Sequence, residues 1–311
     1  MVTEILRYDP RFLEEAVFLS FRGHPKALAF QTERDRLYEI PDTDDREKAF
    51  QELNVRWFDH LGLAKPIETA VHEQPLISSG VKWCVVACAA GKGEEGAELF
   101  VNPEDTLEDK QRRTVRILLR PESLLTPEIL LTFLRHELFH IMDMLDPLFG
   151  YEPALPAAES GPTYDRLLQA RYRVLWDSSI DGRMVRRRWA PESIRAERLD
   201  EFSRAFPMLE KEIPRMFSHF FDQEPHTHAE LISFACNPRA ALGLSPETPQ
   251  PGSRCPLCGF PTHSFRPEPE RLGTETIARI NRDFPRWHPF NGLCLQCADL
   301  YQARTAIASM P

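Results

Sequence analysis

The sequence lacks any apolar run long enough to cross a bilayer. Its longest strongly apolar stretch is CVVACAA at 84–90, which is far shorter than a membrane-spanning helix requires. The first residues, MVTEILRYDPRFLEE, carry acids where a secretory signal peptide needs a basic start and an apolar segment. Internal repeats and low-complexity tracts are also absent. These features predict a cytoplasmic protein without a membrane partner.

An excess of positive charge is absent as well. The 38 Lys and Arg residues against 47 Asp and Glu residues give a net charge of −9, which opposes loose binding to nucleic acids. Nucleic acid stays open as a partner only through a local basic patch, and bulk charge does not support it. The apolar fraction of 42% is ordinary for a globular chain, and 311 residues suffice for one large domain or two unequal ones.

The predicted type of secondary structure changes along the chain. Residues 1–65 read as mostly helical, residues 66–120 contain short β-type runs separated by Gly, Pro and Asp clusters, and longer helices follow. A Pro/Ser-rich linker, LSPETPQPGS, then precedes a cysteine-bearing module. This order predicts an α+β fold class. The predicted segments are an N-terminal helical region at 1–65, a domain with a small mixed sheet at 66–243, a linker at 244–254 and a separate module at 255–311.

The most informative helix is predicted from about 127 to 146. Thr126 can cap it, and Pro147 stops it. Within it, RHELFHIMDMLD places His136, His140 and Asp143 on one polar stripe of an otherwise apolar helix. Two imidazoles four residues apart stand roughly 6 Å apart along the axis and can ligate one Zn²⁺ ion. Glu137 lies about a quarter-turn away, where it can reach a water molecule on the metal.

HELFH is the HExxH signature and resembles the zincin metallopeptidases. The resemblance implies an active-site helix packed against a mixed sheet, with an edge strand that pairs with an extended substrate. RTVRILLR at 113–120 is the candidate edge strand. It also implies hydrolysis of peptide bonds, with Glu137 as the general base for a zinc-activated water. The structural alternative is a buried helix without a metal, whose histidines form hydrogen bonds with Glu137 and backbone groups.

A catalytic zinc site needs a third protein ligand. The glycine and third histidine of the metzincin continuation are missing after His140. Asp143 shares the helix face but lies further along the axis than His140, so we interpret it as a partner that orients a ligand, with direct ligation as the runner-up. The other candidates are the histidines and aspartates of two later segments: Asp177, Asp181, His226 and His228.

Asp177 and Asp181 stand four residues apart on a second predicted helix. The pair resembles the ExxxD element of gluzincins, with Asp in place of Glu as in aspzincins. The resemblance implies Asp177 as the third ligand and Asp181 as the group that orients a metal-bound histidine, and the opposite roles stay open. A surface network with Arg173, Arg183 or Arg186 is the structural alternative.

Two further predictions concern the surroundings of this site. Stabilisation of the oxyanion needs one more donor, and the sequence does not choose among Tyr151, Tyr164, Arg183, His226 and His228. The basic run RMVRRRW at 183–189 is interpreted as a solvated helix end favoured by the helix dipole rather than as a substrate or phosphate patch.

The C-terminal module carries two CxxC pairs, Cys255/Cys258 and Cys294/Cys297, with the spacing of a zinc ribbon. Four thiolates predict a structural Zn²⁺ that supplies much of the folding energy of so small a module. His263 and His288 are alternates that four cysteines make unnecessary. The remaining cysteines, Cys84, Cys88 and Cys236, are interpreted as buried small hydrophobic residues.

An HExxH domain followed by a zinc ribbon resembles the layout of the SprT-like metalloproteases, although their third histidine has no counterpart here. The sequence thus predicts a cytoplasmic zinc metallopeptidase with one catalytic and one structural Zn²⁺ and a peptide or protein substrate. Two alternatives stay open. One is a zinc-ribbon adaptor for nucleic acid or protein whose zincin scaffold is not catalytic, and the other is a zinc hydrolase of a non-peptide amide.

Overall fold

The computed structural model describes residues 2–104, 108–154, 162–238, 252–266, 269–285, 287 and 289–308. The chain divides into two compact units. The first unit comprises residues 1–152, 179–195 and 221–227, and the second comprises residues 153–178, 196–220 and 228–311. Both units are rich in helix, and the first also contains a sheet, so the mixed helix-and-sheet class is confirmed. The predicted segment boundaries stay predictions, and most of the predicted linker lies outside the described residues.

The helices and strands are numbered in chain order. The helices are α1 (Val2–Ile5), α2 (Pro10–Ser20), α3 (Ala27–Leu37), α4 (Thr43–His60), α5 (Lys65–His72), α6 (Pro75–Gly80), α7 (Asp109–Arg112), α8 (Pro127–Leu145), α9 (Pro162–Arg186), α10 (Ile194–Ala205), α11 (Ile213–Asp222), α12 (His228–Cys236), α13 (Thr274–Asp283) and α14 (Leu295–Ala308). The strands are β1 (Leu6–Tyr8), β2 (Trp83–Cys88), β3 (Gly96–Val101) and β4 (Arg113–Leu119). Short 3₁₀ helices span Lys92–Glu94, Pro121–Leu125, Pro207–Glu212, Pro269–Arg271 and Pro289–Asn291.

In the described part of the chain, the sheet of the first unit has the strand order β1-β2-β4-β3. β1, β2 and β4 run parallel, whereas β3 runs antiparallel to β4. Val115, Ile117 and Leu119 alternate along β4 and are fully buried, as the two-residue period of a strand predicts. The prediction that 113–120 forms an edge strand was wrong, because β4 pairs with β2 on one side and with β3 on the other. The edge beside it is β3.

Helix α8 confirms the helix predicted at 127–146. It begins at Pro127 after Thr126 and ends at Leu145, two residues before Pro147. Helices α5 and α6 and strand β3 pack against it. Its apolar side therefore lies in the core of the first unit, where Leu134, Leu138 and Ile141 are fully buried. Among the described helices, none combines the length and the apolar character needed to cross a membrane.

The described part of the second unit contains two apolar centres. One is a cluster of phenylalanine rings with centroids 4.7–6.4 Å apart, formed by Phe202, Phe206, Phe217, Phe220 and Phe234. The other lies in the C-terminal module, where α13 and α14 pack together and bury Leu272, Ile280 and Tyr301 beside the cysteines. The module therefore has a small apolar core in addition to its thiols.

Candidate metal centres and hydrolytic site

Helix α8 brings the two histidines of the HELFH segment face to face. The Nε2 atoms of His136 and His140 lie 3.3 Å apart, and the ring centroids lie 5.1 Å apart. Zinc–nitrogen bonds of about 2.0–2.1 Å at a tetrahedral angle separate two ligand nitrogens by about 3.3 Å. The two imidazoles are therefore spaced as ligands of one tetrahedral zinc ion.

Asp181 on α9 fixes the ring of His136. Its Oδ1 lies 2.8 Å from Nδ1 of His136, and its side chain is only 1% exposed. An ionised carboxylate can only accept, so Nδ1 of His136 carries the hydrogen and Nε2 presents a lone pair towards His140. Asp181 therefore occupies the orienting position, one of the two roles that the sequence left open for it.

Glu137 stands beside the first residues of the edge strand β3. Its Oε2 accepts a hydrogen bond of 3.3 Å from the backbone N–H of Ala97. The preceding residue is Gly96, and a Cβ atom there would lie 3.1 Å from the same oxygen. The lack of a side chain at residue 96 thus lets the carboxylate approach the strand closely. Sequence reasoning missed both residues, because the contact joins segments 40 positions apart.

Asp143 forms a buried, bidentate ion pair with Arg183 of α9. The Nη1–Oδ1 and Nη2–Oδ2 distances are 2.7 and 2.6 Å, and the two side chains are 5% and 12% exposed. A bidentate pair of this kind occupies both oxygens of the carboxylate. Asp143 therefore ties α8 to the C-terminal half of α9. The same pair engages Arg183, one of the candidate oxyanion donors.

Asp177 lies one turn before Asp181 on α9, in the part of that helix that belongs to the second unit. Its side chain is 11% exposed, and its Oδ2 lies 3.6 Å from Nε of Arg173 and 3.8 Å from Nη1 of Arg198. Both distances exceed the length of a hydrogen bond. The assignment of Asp177 as third ligand stays a prediction.

The remaining candidate oxyanion donors are Tyr151, Tyr164, His226 and His228. Burial raises the pKa of Tyr151 above its ordinary value. His226 is 8% exposed, and Nδ1 of His228 lies 2.7 Å from the hydroxyl of Tyr172 inside the second unit. The side chain of Tyr164 lies outside the described residues.

The basic segment at 183–189 packs on aromatic rings of the first unit. The guanidinium carbons of Arg183 and Arg187 lie 4.7 and 4.9 Å from the ring centre of Phe139. Trp189 lies 4.8 Å from the guanidinium carbon of Arg135 and 5.1 Å from that of Arg187. Such cation–π contacts favour close packing of α8 and the end of α9. The interpretation as a solvated helix end was therefore wrong for Arg183, whereas Arg186, Arg187 and Arg188 are exposed as it expected.

The four cysteines of the C-terminal module converge. Sulfur atoms of Cys255, Cys258, Cys294 and Cys297 lie within 4.8 Å of one another, and the Cys258–Cys294 pair is 3.9 Å apart. Tetrahedral zinc with Zn–S bonds of about 2.3 Å separates two sulfurs by about 3.8 Å. The backbone N–H of Cys294 donates to the sulfur of Cys255, and that of Cys297 donates to the sulfur of Cys294. The zinc-ribbon-like cluster predicted from the sequence is thus present and could hold a metal ion.

The thiol of Cys255 is tuned towards its ionised form. Burial alone raises its pKa, but backbone hydrogen bonds, first that of Cys294, lower the pKa to about 7.

His263 is exposed and stands outside the cysteine group, while His288 lies outside the described residues. Among the other cysteines Cys84 is fully buried, and burial raises the pKa of its thiol to about 12. The remaining two, Cys88 and Cys236, are half-buried.

The first unit thus assembles a pair of imidazoles spaced for a metal, a carboxylate that orients one of them, and a second carboxylate that can accept a proton. The second unit assembles a four-thiol group of different chemistry. Comparisons with protein-family models, curated proteins and solved structures found no match. The functional conclusion therefore depends on the geometry of these groups.

Proposed function

We propose that this protein is a zinc-dependent hydrolase of peptide bonds. The observation that carries the proposal is the 3.3 Å separation of the His136 and His140 Nε2 atoms, with Nδ1 of His136 held by Asp181. Packing of two histidines in a helix core does not require their Nε2 atoms to face each other. A zinc ion bound there would lower the pKa of water and polarise a scissile carbonyl.

Glu137 is the general base of the proposed reaction. One of its oxygens, Oε2, is held by the N–H of Ala97, which fixes the direction of the carboxylate. The other oxygen, Oε1, has no hydrogen-bond partner among the residues the structure describes. It is available to take a proton from the attacking water and to return it to the leaving amine.

Strand β3 favours an extended peptide as the substrate. In an antiparallel pair the N–H and C=O of one residue point to the same side. Because the N–H of Ala97 points to Glu137, away from β4, the N–H and C=O of Leu99 face the open edge of the sheet. Phe100 and Val101 are 48% and 52% exposed along the same strand. A peptide could add to this edge through main-chain hydrogen bonds, which a compact non-peptide amide would not need.

The remaining ligand and the second metal complete the proposal. Asp177 would supply the third protein ligand, since it stands one helical turn before the carboxylate that orients His136. The four cysteines would hold a structural zinc ion, and the cytoplasm would keep their thiols reduced. Peptides or proteins are the proposed substrates.

An assay with an unfolded protein substrate tests the proposal. The zinc-loaded protein should cleave casein, and Glu137→Gln should lower the rate by about 10²- to 10⁴-fold with unchanged zinc content. Glu128→Gln, in the first turn of the same helix, is the matched control and should keep full activity. Cleavage that survives in Glu137→Gln would contradict the proposed role of this carboxylate. A zinc-loaded protein that cleaves no peptide would favour the adaptor or the non-peptide hydrolase.

A further inference from the structure

A cleft with a volume of about 350 Å³ opens among α2, α3 and α4 of the first unit. It lies in the N-terminal helical region, which the proposed hydrolysis does not use. Its size is at the small end of the range for small-molecule sites. The cleft is lined by the buried Asn54 and by cationic, acidic and aromatic side chains that are half-buried or exposed.

Asn54 of α4 is the buried polar group of this cleft. It lines the cleft and is only 7% exposed. Its side-chain amide has no hydrogen-bond partner among the described residues, although an amide offers two donors and an acceptor. The amide atoms themselves are not fully buried, so they reach the solvent that fills the cleft. The amide therefore faces the cleft and is available to hydrogen-bond a molecule that enters it.

Arg34 of α3 supplies a positioned cation. Its guanidinium carbon lies 4.8 Å from the ring centre of Phe18, 5.5 Å from that of Tyr38 and 5.8 Å from that of Phe50. In the described part of the chain no carboxylate pairs with it. The guanidinium group is planar, and contacts with aromatic rings restrict its orientation, so its N–H donors can bind a carboxylate with two hydrogen bonds.

The cleft also presents acids, so its chemistry is not that of an anion site alone. Glu14 of α2 and Glu47 of α4 line it, as does Arg11 of α2. Among the described residues none of these three side chains takes part in an ion pair. Carboxylates near a pair of guanidinium groups can receive an ammonium group while the guanidinium groups receive a carboxylate. A ligand with both charges satisfies the cleft better than an anion or a cation does.

We propose that this cleft binds a free α-amino acid, with its carboxylate on Arg34, its ammonium group towards Glu14 and Glu47, and Asn54 hydrogen-bonded to its polar end. The site is separate from the metal centres and does not depend on the proposed hydrolysis. The exposed ring of Tyr38 offers a surface for the side chain of the ligand.

Calorimetric titration of the full chain with each of the free amino acids, followed by thermal unfolding at saturation, tests this inference. At least one amino acid should bind and raise the Tm. Its N-acetyl and amide derivatives, which each lack one charge, should bind about tenfold more weakly or worse. Arg34→Gln should weaken binding to a similar extent, whereas Arg36→Gln on the same helix should bind normally.

Asn54→Leu separates a binding role from a structural one. Because its amide has no partner within the protein, the variant should fold with an unchanged or higher Tm, yet bind the amino acid at least about tenfold more weakly. A marked loss of stability in Asn54→Leu would contradict the unpaired amide and overturn the inference. So would the absence of binding by every amino acid, equal binding of the blocked derivatives, or full binding by Arg34→Gln.

Discussion

The Nδ1 atom of His136 and the Oδ1 atom of Asp181 lie 2.8 Å apart, although 45 residues separate them in the sequence. This contact joins α8 to α9 and selects the tautomer of the histidine. With the hydrogen on Nδ1, Nε2 of His136 is left to face Nε2 of His140. The contact is therefore the structural reason why a pair of histidines at helical spacing becomes a pair of candidate ligands.

Replacing Asp181 by Asn should weaken zinc binding at the histidine pair. The change removes the negative charge that supports the Nδ1–H of His136, and loss of such orienting partners typically costs about 10- to 100-fold in metal affinity. Competition titration with a zinc chelator would measure the effect. Asp200→Asn, on the exposed face of α10, is the charge-matched control and should bind zinc normally. Equal affinities of Asp181→Asn and the parent would contradict the orienting role.

The Asp143–Arg183 pair should matter for stability. Asp143→Asn leaves the guanidinium of Arg183 buried without its counter-charge, and breaking a buried pair costs about 3–5 kcal/mol. Denaturant unfolding should show this loss. The double variant Asp143→Leu with Arg183→Met removes both charges and should recover most of the stability. Additive losses in the double variant would argue against a coupled pair.

Gly182 should not tolerate alanine. A Cβ atom at this position would lie 1.8 Å from the carbonyl oxygen of Phe221, so the two backbone segments must separate. Alanine inside a helix normally stabilises it by about 1 kcal/mol relative to glycine, but here overpacking should destabilise the chain by about 1–3 kcal/mol or more. Because Asp181 is adjacent, zinc affinity should fall as well. Gly93→Ala, which meets no atom within 4 Å, is the matched control.

Glu95 should make stability depend on pH. Burial alone raises its pKa, but hydrogen bonds from Ser123 and Arg120 outweigh burial and hold the pKa below its ordinary value of 4.5. A lowered folded-state pKa means that the ionised carboxylate stabilises the fold above pH 4.5. This contribution is lost as the pH falls through the lowered pKa. Glu95→Gln should therefore be destabilised at pH 7, and the difference from the parent should vanish in strong acid. A difference that is the same at every pH would contradict this account.

Local sequence patterns predicted the central helix and the cysteine cluster. Pro127 in the first turn, Pro147 after the last and the apolar period specify α8, and the stripe with His136 and His140 follows from helix geometry. The capping bond expected from Thr126 is not formed, because its hydroxyl donates to the carbonyl of Ser123 instead. The two CxxC pairs likewise carry their chemistry in their spacing. In both cases the information lies within a few neighbouring residues.

The arrangement of the strands and the second partners of the site could not be predicted in this way. The N-terminal region was predicted to be mostly helical, yet Leu6–Tyr8 forms a parallel strand beside β2. The order that puts β4 inside the sheet and β3 at its edge depends on long-range pairing. The same holds for Asp143, because only the packing of α9 on α8 brings Arg183 to it. Sequence periodicity shows which face a residue occupies, but not what lies opposite.

Zinc content per chain tests the central claim most directly. Elemental analysis should find two zinc ions in the parent, with one lost in His136→Ala and the other lost in Cys255→Ser. That result would establish two separate sites of different ligand chemistry. A single zinc ion that is lost only in Cys255→Ser would contradict the histidine metal centre and with it the proposed hydrolysis.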